Sequence, residues 1–138
     1  MVTEKIAQIR RLRQQRIQAN RNEEEWTRPM KHDLSEIPEI YERFKEVCNP
    51  KCADNKHIFI LIVVFMYSPI SFADDHICRN GVRKRIAKVL GLKECSISVY
   101  FGIAKSLINN HSGFRNEVER VYGLICDAPL RHCQDETP

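Results

Sequence analysis

Two clusters of basic side chains are the residues most able to do chemistry in this 138-residue chain. One runs from Lys5 to Asn22 and the other from Arg79 to Lys93, and each holds six lysines or arginines and no acidic residue. The other 105 residues carry 10 basic and 18 acidic side chains, a formal charge of −8, although the whole chain is +4. Such segregation favours a polyanionic partner, most commonly the phosphate backbone of nucleic acid. For either cluster taken alone, a solvated protein face is the alternative.

The spacing of apolar and small residues around the second cluster predicts a helix-turn-helix. Ala87 is small enough to let two helices approach, and Gly91, four residues later, supplies the turn. Leu92 is then expected to pack the turn against the core, and Ile97 and Tyr100 to pack the inner face of the second helix against it. A helical hairpin that serves only as core has the same spacing and is the alternative.

The residues left outside this arrangement are the candidate DNA contacts. We expect the basic residues of the first helix to bind DNA phosphates: Arg83, Lys84, Arg85 and Lys88. Such contacts fix the register of the protein on the duplex but do not recognise its base sequence. We expect the start of the second helix to face the groove: Lys93, Glu94, Cys95, Ser96, Ser98 and Val99. Small hydroxyls can bond to base edges, an apolar side chain can lie against a thymine methyl, and the free amides of a helix start favour a phosphate. Glu94 would repel phosphate unless it accepts from a cytosine amino group or pairs with Lys93.

The order of these elements resembles the C-terminal DNA-binding domain of the bacterial replication initiator DnaA. In that family a stretch like I-G-x-x-F-G-G-R-D-H-(S/T)-T-V follows an apolar helix, and residues 86–97 of this chain read IAKVLGLKECSI. The resemblance covers residues 55–126 and implies that Lys93, Glu94 and Ser96 read DNA, while Cys95 stands where the family has histidine. A generic helix-turn-helix of the tryptophan-repressor type fits the same residues. The chain has no G-x-x-x-x-G-K-[ST] phosphate loop, so the resemblance does not extend to ATP-driven initiation.

The elements that must position these residues are predicted to be helices. Apolar spacing and capping residues predict helices over 4–25, from Ser35, from Asp54 or Asn55 to Tyr67, from Asn80 or Gly81 to Leu90, over 96–109 and from Ser112. The apolar run over 58–67 could also be a buried strand, but no second strand-like segment exists to pair with it. The predicted fold is therefore a compact all-α domain over 34–128, with a basic helical arm and linker over 1–33 and a flexible tail over 129–138.

Composition excludes several classes of protein. With 43% hydrophobic and 29% charged residues the chain resembles an ordinary globular domain and not a disordered or fibrous one. Its longest apolar run has ten residues, and a membrane span needs ~20. The charged start of the chain lacks the features of a secretory signal peptide, so we expect a cytoplasmic protein whose six cysteines are free, buried thiols.

Other chemistry is weakly indicated. Cys48, Cys52 and His57 have a loose zinc-like spacing, Cys95 could act as a redox-sensitive thiol, and residues 74–76 (Asp-Asp-His) could form an acid–base cluster. A small helical filler and a solvated loop are the simpler interpretations of the last two. We therefore expect no metal, no cofactor and no catalytic residue.

The sequence thus predicts a cytoplasmic helix-turn-helix protein that binds double-stranded DNA, as a transcription regulator or as a replication or mobile-element accessory. A two-fold DNA site would suggest a homodimer, with the first helix as its contact. The basic arm could also bind RNA or the minor groove. The competing hypothesis is a protein–protein interaction module, whose basic arm contacts an acidic partner and which has no nucleic-acid role.

Overall fold

A computed structural model describes residues 1–74 and 76–127, which form an all-α structure as predicted. These residues contain no strand, and none of their helices has the length and hydropathy needed to cross a membrane. Short 3₁₀ turns at Leu34–Glu36 and Pro69–Ala73 connect the longer elements. The helices are α1 (Val2–Trp26), α2 (Ile37–Val47), α3 (Asn55–Tyr67), α4 (Val82–Leu90), α5 (Glu94–Asn110) and α6 (Ser112–Asp127). The tail predicted over 129–138, including Cys133, lies outside the described residues.

The apolar run forms the central helix α3 and not a strand. Nine of its 13 residues are buried, and α2, α4, α5 and α6 all pack against it. A helix surrounded in this way satisfies its own backbone hydrogen bonds, so it needs no pairing partner and can present apolar side chains in every direction. Its β-branched residues are accommodated because burial outweighs their modest helix preference.

Amphipathic helices cover α3, each burying one stripe. The buried residues of α6 are Phe114, Val118, Val121 and Ile125, and their spacing of 4, 3 and 4 is one face of a helix. The shorter buried stripes are Ile37, Ile40 and Phe44 in α2, and Ile97, Phe101 and Ala104 in α5. The core is therefore continuous from residue 37 to residue 125.

Two helix starts are capped by residues other than those predicted. Asp33, and not Ser35, caps the turn that leads into α2: its Oδ1 accepts from the Ser35 amide at 3.0 Å and from the Ser35 hydroxyl at 2.6 Å. At α6 the cap is His111, whose Nδ1 accepts from the Phe114 amide at 3.0 Å, and not Ser112. In both places the capping side chain precedes the predicted one, because it is the residue just outside the helix that can reach the free amides.

Arg79 fastens the linker to the core. Its Nη1 donates to the carbonyl oxygens of Lys31 at 2.8 Å and Tyr67 at 3.1 Å, and its Nη2 donates to that of His32. The Tyr67 hydroxyl donates to the Asp33 carbonyl at 2.9 Å. The linker is thus held in place, while α1, which precedes it, buries none of its residues.

Candidate nucleic-acid interface

The turn between α4 and α5 has the predicted glycine geometry. Gly91 has φ +68° and ψ 33°, the left-handed conformation that glycine adopts without a Cβ penalty. The Leu92 amide donates to the Ala87 carbonyl at 2.9 Å, a bond across six residues that is typical of a glycine helix cap. Lys93 is extended and precedes α5. Residues 91–93 are therefore a tight connection between two helices.

The predicted anchors lie on the inner side of this pair. Ala87 and Ile97 are buried, while Leu92 and Tyr100 are half-buried and pack against the core. The ring of Tyr100 meets that of His57 edge to face, with 5.1 Å between centroids. Because these side chains fix the rotation of both helices, they decide which other residues face solvent.

The structure leaves most of the predicted contact residues outside. Val99 is 61% exposed, on the side of α5 that faces away from the core. Ser96 and Ser98 are half-buried. The exposed residues are Arg83, Lys84, Arg85, Lys88, Lys93, Glu94, Cys95 and Val99.

Arg83 joins the two helices across this surface. Its Nη1 donates to the Ser98 Oγ at 3.1 Å, and its Nε lies 3.8 Å from the Glu94 Oε1. Glu94 therefore pairs with Arg83, whereas the sequence had suggested Lys93 as its partner. The pair lowers the negative charge that Glu94 would present to a phosphate, and it occupies the hydroxyl of Ser98.

Arg85 and Lys88 face a different neighbour, so the basic residues of α4 divide into two groups. Both line a shallow groove against α2, together with Tyr41, Glu42 and Lys45. Lys45 is a cation that the sequence analysis did not include; its Nζ pairs with Glu42 at 3.0 Å and lies 4.9 Å from the Tyr41 ring centroid. Only the packing of α2 on α4 brings it here, and no local spacing could have indicated it.

Hydrogen bonds shift the pKa of two charged groups near α4, one of which, Lys45, lines this groove. Hydrogen bonds from the Ser35 hydroxyl and amide, with a smaller contribution from the nearby Arg85 charge, lower the pKa of Asp33. The hydrogen bond to Glu42 raises the pKa of Lys45. The groove itself carries side chains of both signs, because Glu42 lines it together with Lys45, Arg85 and Lys88.

Arg79 belongs to the second basic cluster but is not available to a partner. Its guanidinium is occupied by the three carbonyl oxygens of the linker and of α3, and it lies 5.6 Å from the Tyr67 ring centroid. Counting lysines and arginines in the sequence therefore overstates by one the number of cations that this surface offers to a partner.

The five cysteines among residues 1–74 and 76–127 are free, but none of them is fully buried, which corrects the expectation from the sequence. Cys48, Cys52 and Cys78 are half-buried, and Cys95 and Cys126 are exposed. No three metal-ligating side chains come together among residues 1–74 and 76–127. The zinc interpretation of the spacing of Cys48, Cys52 and His57 thus gains no support from the geometry.

The cluster over 74–76 is only partly described, since residue 75 lies outside the described residues. Asp74 accepts a hydrogen bond from the Cys78 thiol at 3.1 Å, and this bond raises the pKa of that thiol. The Asp74 backbone carbonyl accepts from Lys105 at 2.6 Å. These contacts fasten the loop to α5.

Comparison of the chain with protein-family models, with curated proteins and with solved structures gives no significant match.

Proposed function

We propose that this protein binds double-stranded DNA through the exposed surface of α4 and the first two turns of α5. The observation that carries the proposal is the contact of Arg83 with Ser98 and Glu94. This contact joins Arg83 of α4 to the start of α5, and Arg85 and Lys88 lie on the adjoining side of α4, next to α2. A basic helix beside an exposed helix start is the arrangement that a helix-turn-helix presents to a major groove.

Phosphate contacts are assigned to the cations that no acid neutralises across this surface. Lys93 lies at the turn, Lys84 lies in the first turn of α4, and Arg85 and Lys88 line the groove beside α2. The first amides of α5 add a further donor site, because Lys93 provides no side-chain cap to occupy them. With about four phosphates neutralised, log Kd changes with log salt concentration with a slope of magnitude about 4.

Base contacts are assigned to the start of α5. Val99 is the most exposed apolar side chain there and suits a thymine methyl group. Cys95 and Ser96 lie one turn earlier on the same helix. The resemblance to the DnaA domain assigns reading to Lys93, Glu94 and Ser96, and the exposed positions of Lys93 and Glu94 are compatible with it.

The proposal also covers the biological setting predicted above: a cytoplasmic regulator or a replication or mobile-element accessory, without enzymatic activity. The exposed α1 is a candidate contact for a homodimer on a two-fold DNA site.

A charge-reversal pair tests the DNA interface. Lys84→Glu with Lys88→Glu should weaken binding to a fluorescein-labelled random-sequence duplex by about tenfold at low salt. It should also reduce the magnitude of the salt slope by about two, because two phosphate contacts are lost. Fluorescence anisotropy over a salt series measures both quantities.

Lys51→Glu with Lys56→Glu is the matched control, because both lysines are exposed and lie before or at the start of α3, away from the proposed surface. This control has the same net charge as the test variant and should keep the wild-type slope. Equal slopes for the two double variants, or no duplex binding by the wild type at low salt, would contradict the proposal.

The exposed apolar residues of α1 favour the protein–protein interaction module as a second candidate. Val2, Ile9 and Leu12 are 75%, 58% and 54% exposed. A helix that leaves such residues in water gains little stability by itself and suits a partner helix. This function requires that the wild type show no affinity for the duplex at low salt.

A further inference from the structure

An apolar cleft of about 360 Å³ lies on the face of the domain formed by α3, α5 and α6. Its floor is buried core: Leu61, Ile62 and Val118 are at most 7% exposed. The end of α1 and the 3₁₀ turn after α3 supply its edges. The described residues that line it are Trp26, Leu61, Ile62, Phe65, Pro69, Phe72, Ile108, Val118, Glu119 and Tyr122. None of them belongs to α4 or to the proposed DNA surface.

Aromatic rings form much of the wall. Phe65 meets Tyr122 edge to face at 5.4 Å between centroids, and it meets Phe72 in the same way at 6.3 Å. Phe65 is 40% exposed although it belongs to the otherwise buried helix α3. The three rings therefore form one aromatic cluster, and all three of these residues line the cleft.

Glu119 is the one charged side chain among these described lining residues. It is exposed, and it forms no ion pair with any described residue. Arg115, one turn earlier on α6, makes no direct ion pair with it; the Arg115 guanidinium donates instead to the carbonyl oxygens of Ile108 and Asn109. The cleft therefore combines apolar walls, aromatic rings and one negative charge at its rim.

Trp26 closes the cleft from the side of the arm. It is the last residue of α1 and is 84% exposed, so most of its indole ring is free to contact an occupant. The linker that follows is fastened by the Met30 and Lys31 amides, which donate to the Met66 carbonyl at 3.0 and 3.1 Å. These bonds hold the linker that follows Trp26 against the end of α3.

We propose that this cleft binds a hydrophobic organic cation, such as an aryl-substituted quaternary ammonium or phosphonium ion. Apolar walls of this volume suit a ligand of drug size. Aromatic faces attract a cation whose charge is not tightly hydrated, and Glu119 adds a complementary charge. An organic anion would be repelled by this carboxylate, and a neutral ligand would gain no charge attraction from it.

Tetraphenylphosphonium and tetraphenylborate test this proposal directly, because the two ions have nearly the same size and shape but opposite charge. Trp26 is the single tryptophan of the chain, so its fluorescence reports on the cleft. We expect saturable quenching by tetraphenylphosphonium, with an affinity at least about tenfold higher than for tetraphenylborate. Isothermal titration calorimetry on the full chain provides a readout independent of fluorescence.

Two variants separate the charge from the aromatic contribution. Glu119→Gln should reduce the preference for the cation at least about threefold, whereas Glu117→Gln, on the same helix and paired with Arg120, should leave it unchanged. Phe65→Leu keeps the apolar bulk and removes the ring, so it should weaken binding of the cation about threefold.

Three results would overturn the proposal: no saturable binding of tetraphenylphosphonium, equal affinity for both ions, or an unchanged preference in Glu119→Gln. If side chains of a second copy of the chain fill the cleft, tetraphenylphosphonium will not bind saturably, and neither ion will change the fluorescence of Trp26. Since α4 is not involved, the outcome is independent of the duplex-binding experiment.

Discussion

At the scale of single residues, three positions determine which side chains of the second basic cluster can contact a partner. They are Gly91, through its backbone conformation, and Arg79 and Arg83, through the groups that their side chains reach. Gly91 turns the chain at a positive φ, which makes α4 and α5 neighbours. Arg79 is used by the linker, and Arg83 spans to α5. The basic residues of this short segment therefore differ in role. Arg79 holds the linker, Arg83 connects α4 to α5, and others, such as Lys84, are exposed to solvent.

Gly91 and Gly102 allow a matched test of backbone conformation. Neither would bring a new Cβ within 4 Å of another group, so alanine meets no steric clash at either position. Gly91→Ala should lower the free energy of unfolding by about 1 kcal/mol, because Gly91, unlike Gly102, has a positive φ that alanine adopts at a cost. Gly102→Ala, within α5, should instead raise it by about 0.5–1 kcal/mol through helix propensity.

Urea unfolding followed by circular dichroism measures both changes. Gly91→Asn should cost less than Gly91→Ala, because asparagine adopts the left-handed conformation more readily. Equal effects of alanine at the two glycines would show that the turn does not depend on the conformation of Gly91.

At the scale of elements, each helix is built from a local pattern but is held at its ends by specific side chains. α6 begins at the His111 cap, and α2 begins after the turn capped by Asp33. Arg120 of α6 also donates to the Val47 carbonyl at the end of α2, at 3.1 Å. The first two contacts define where a helix begins, and the third ties α6 to the end of α2.

The Asp33 cap predicts a contribution to acid stability. The folded protein lowers the pKa of Asp33 from 3.8, mainly through the two hydrogen bonds from Ser35. The contribution of this carboxylate is therefore fully present above pH 3.8 and is lost as the pH falls through the lower folded value. Asp33→Asn should lose less stability than the wild type over that acidic range.

Urea unfolding of the wild type and of Asp33→Asn, at neutral pH and at several pH values below 3.8, measures the difference. Asp127→Asn is a control, because it removes a carboxylate from the exposed end of α6 and leaves the cap in place. Parallel pH profiles for the wild type and Asp33→Asn would show that the cap does not persist in solution.

At the scale of the whole molecule, the contrast between α1 and the remaining helices is the main feature. α1 has 25 residues, about 37 Å at 1.5 Å per residue, and buries none of them. α3 has 13 residues and buries nine. Most helical stability in proteins comes from packing of an amphipathic face, so α1 gains little stability from the core of its own chain.

Hydrogen exchange tests this inference. We expect the amides of α1 to exchange with little protection in dilute solution, whereas those of α3 exchange at the rate of global unfolding. The proposed homodimer predicts that protection of α1 rises with protein concentration, and that Ile6→Glu with Ile9→Glu abolishes the rise. Sedimentation velocity on the same samples gives the oligomeric state; a monomer whose α1 is unprotected at every concentration would contradict the homodimer.

The sequence by itself determined the properties that depend on local pattern. Periods of three and four residues located the helices, as in α6, and Gly91 marked the turn because few other residues adopt a left-handed backbone. The segregation of charge was also readable, since it needs no knowledge of the fold. The all-α class followed from these signals together.

Only the tertiary structure decided which faces meet, because packing angles depend on side chains that are far apart in the chain. It turned Arg79 inward, paired Glu94 with Arg83 and placed Lys45 beside α4. It also brought Trp26 and Glu119, 93 positions apart, to the two sides of one cleft. No local spacing encodes such contacts, since they result from the simultaneous packing of several helices against α3.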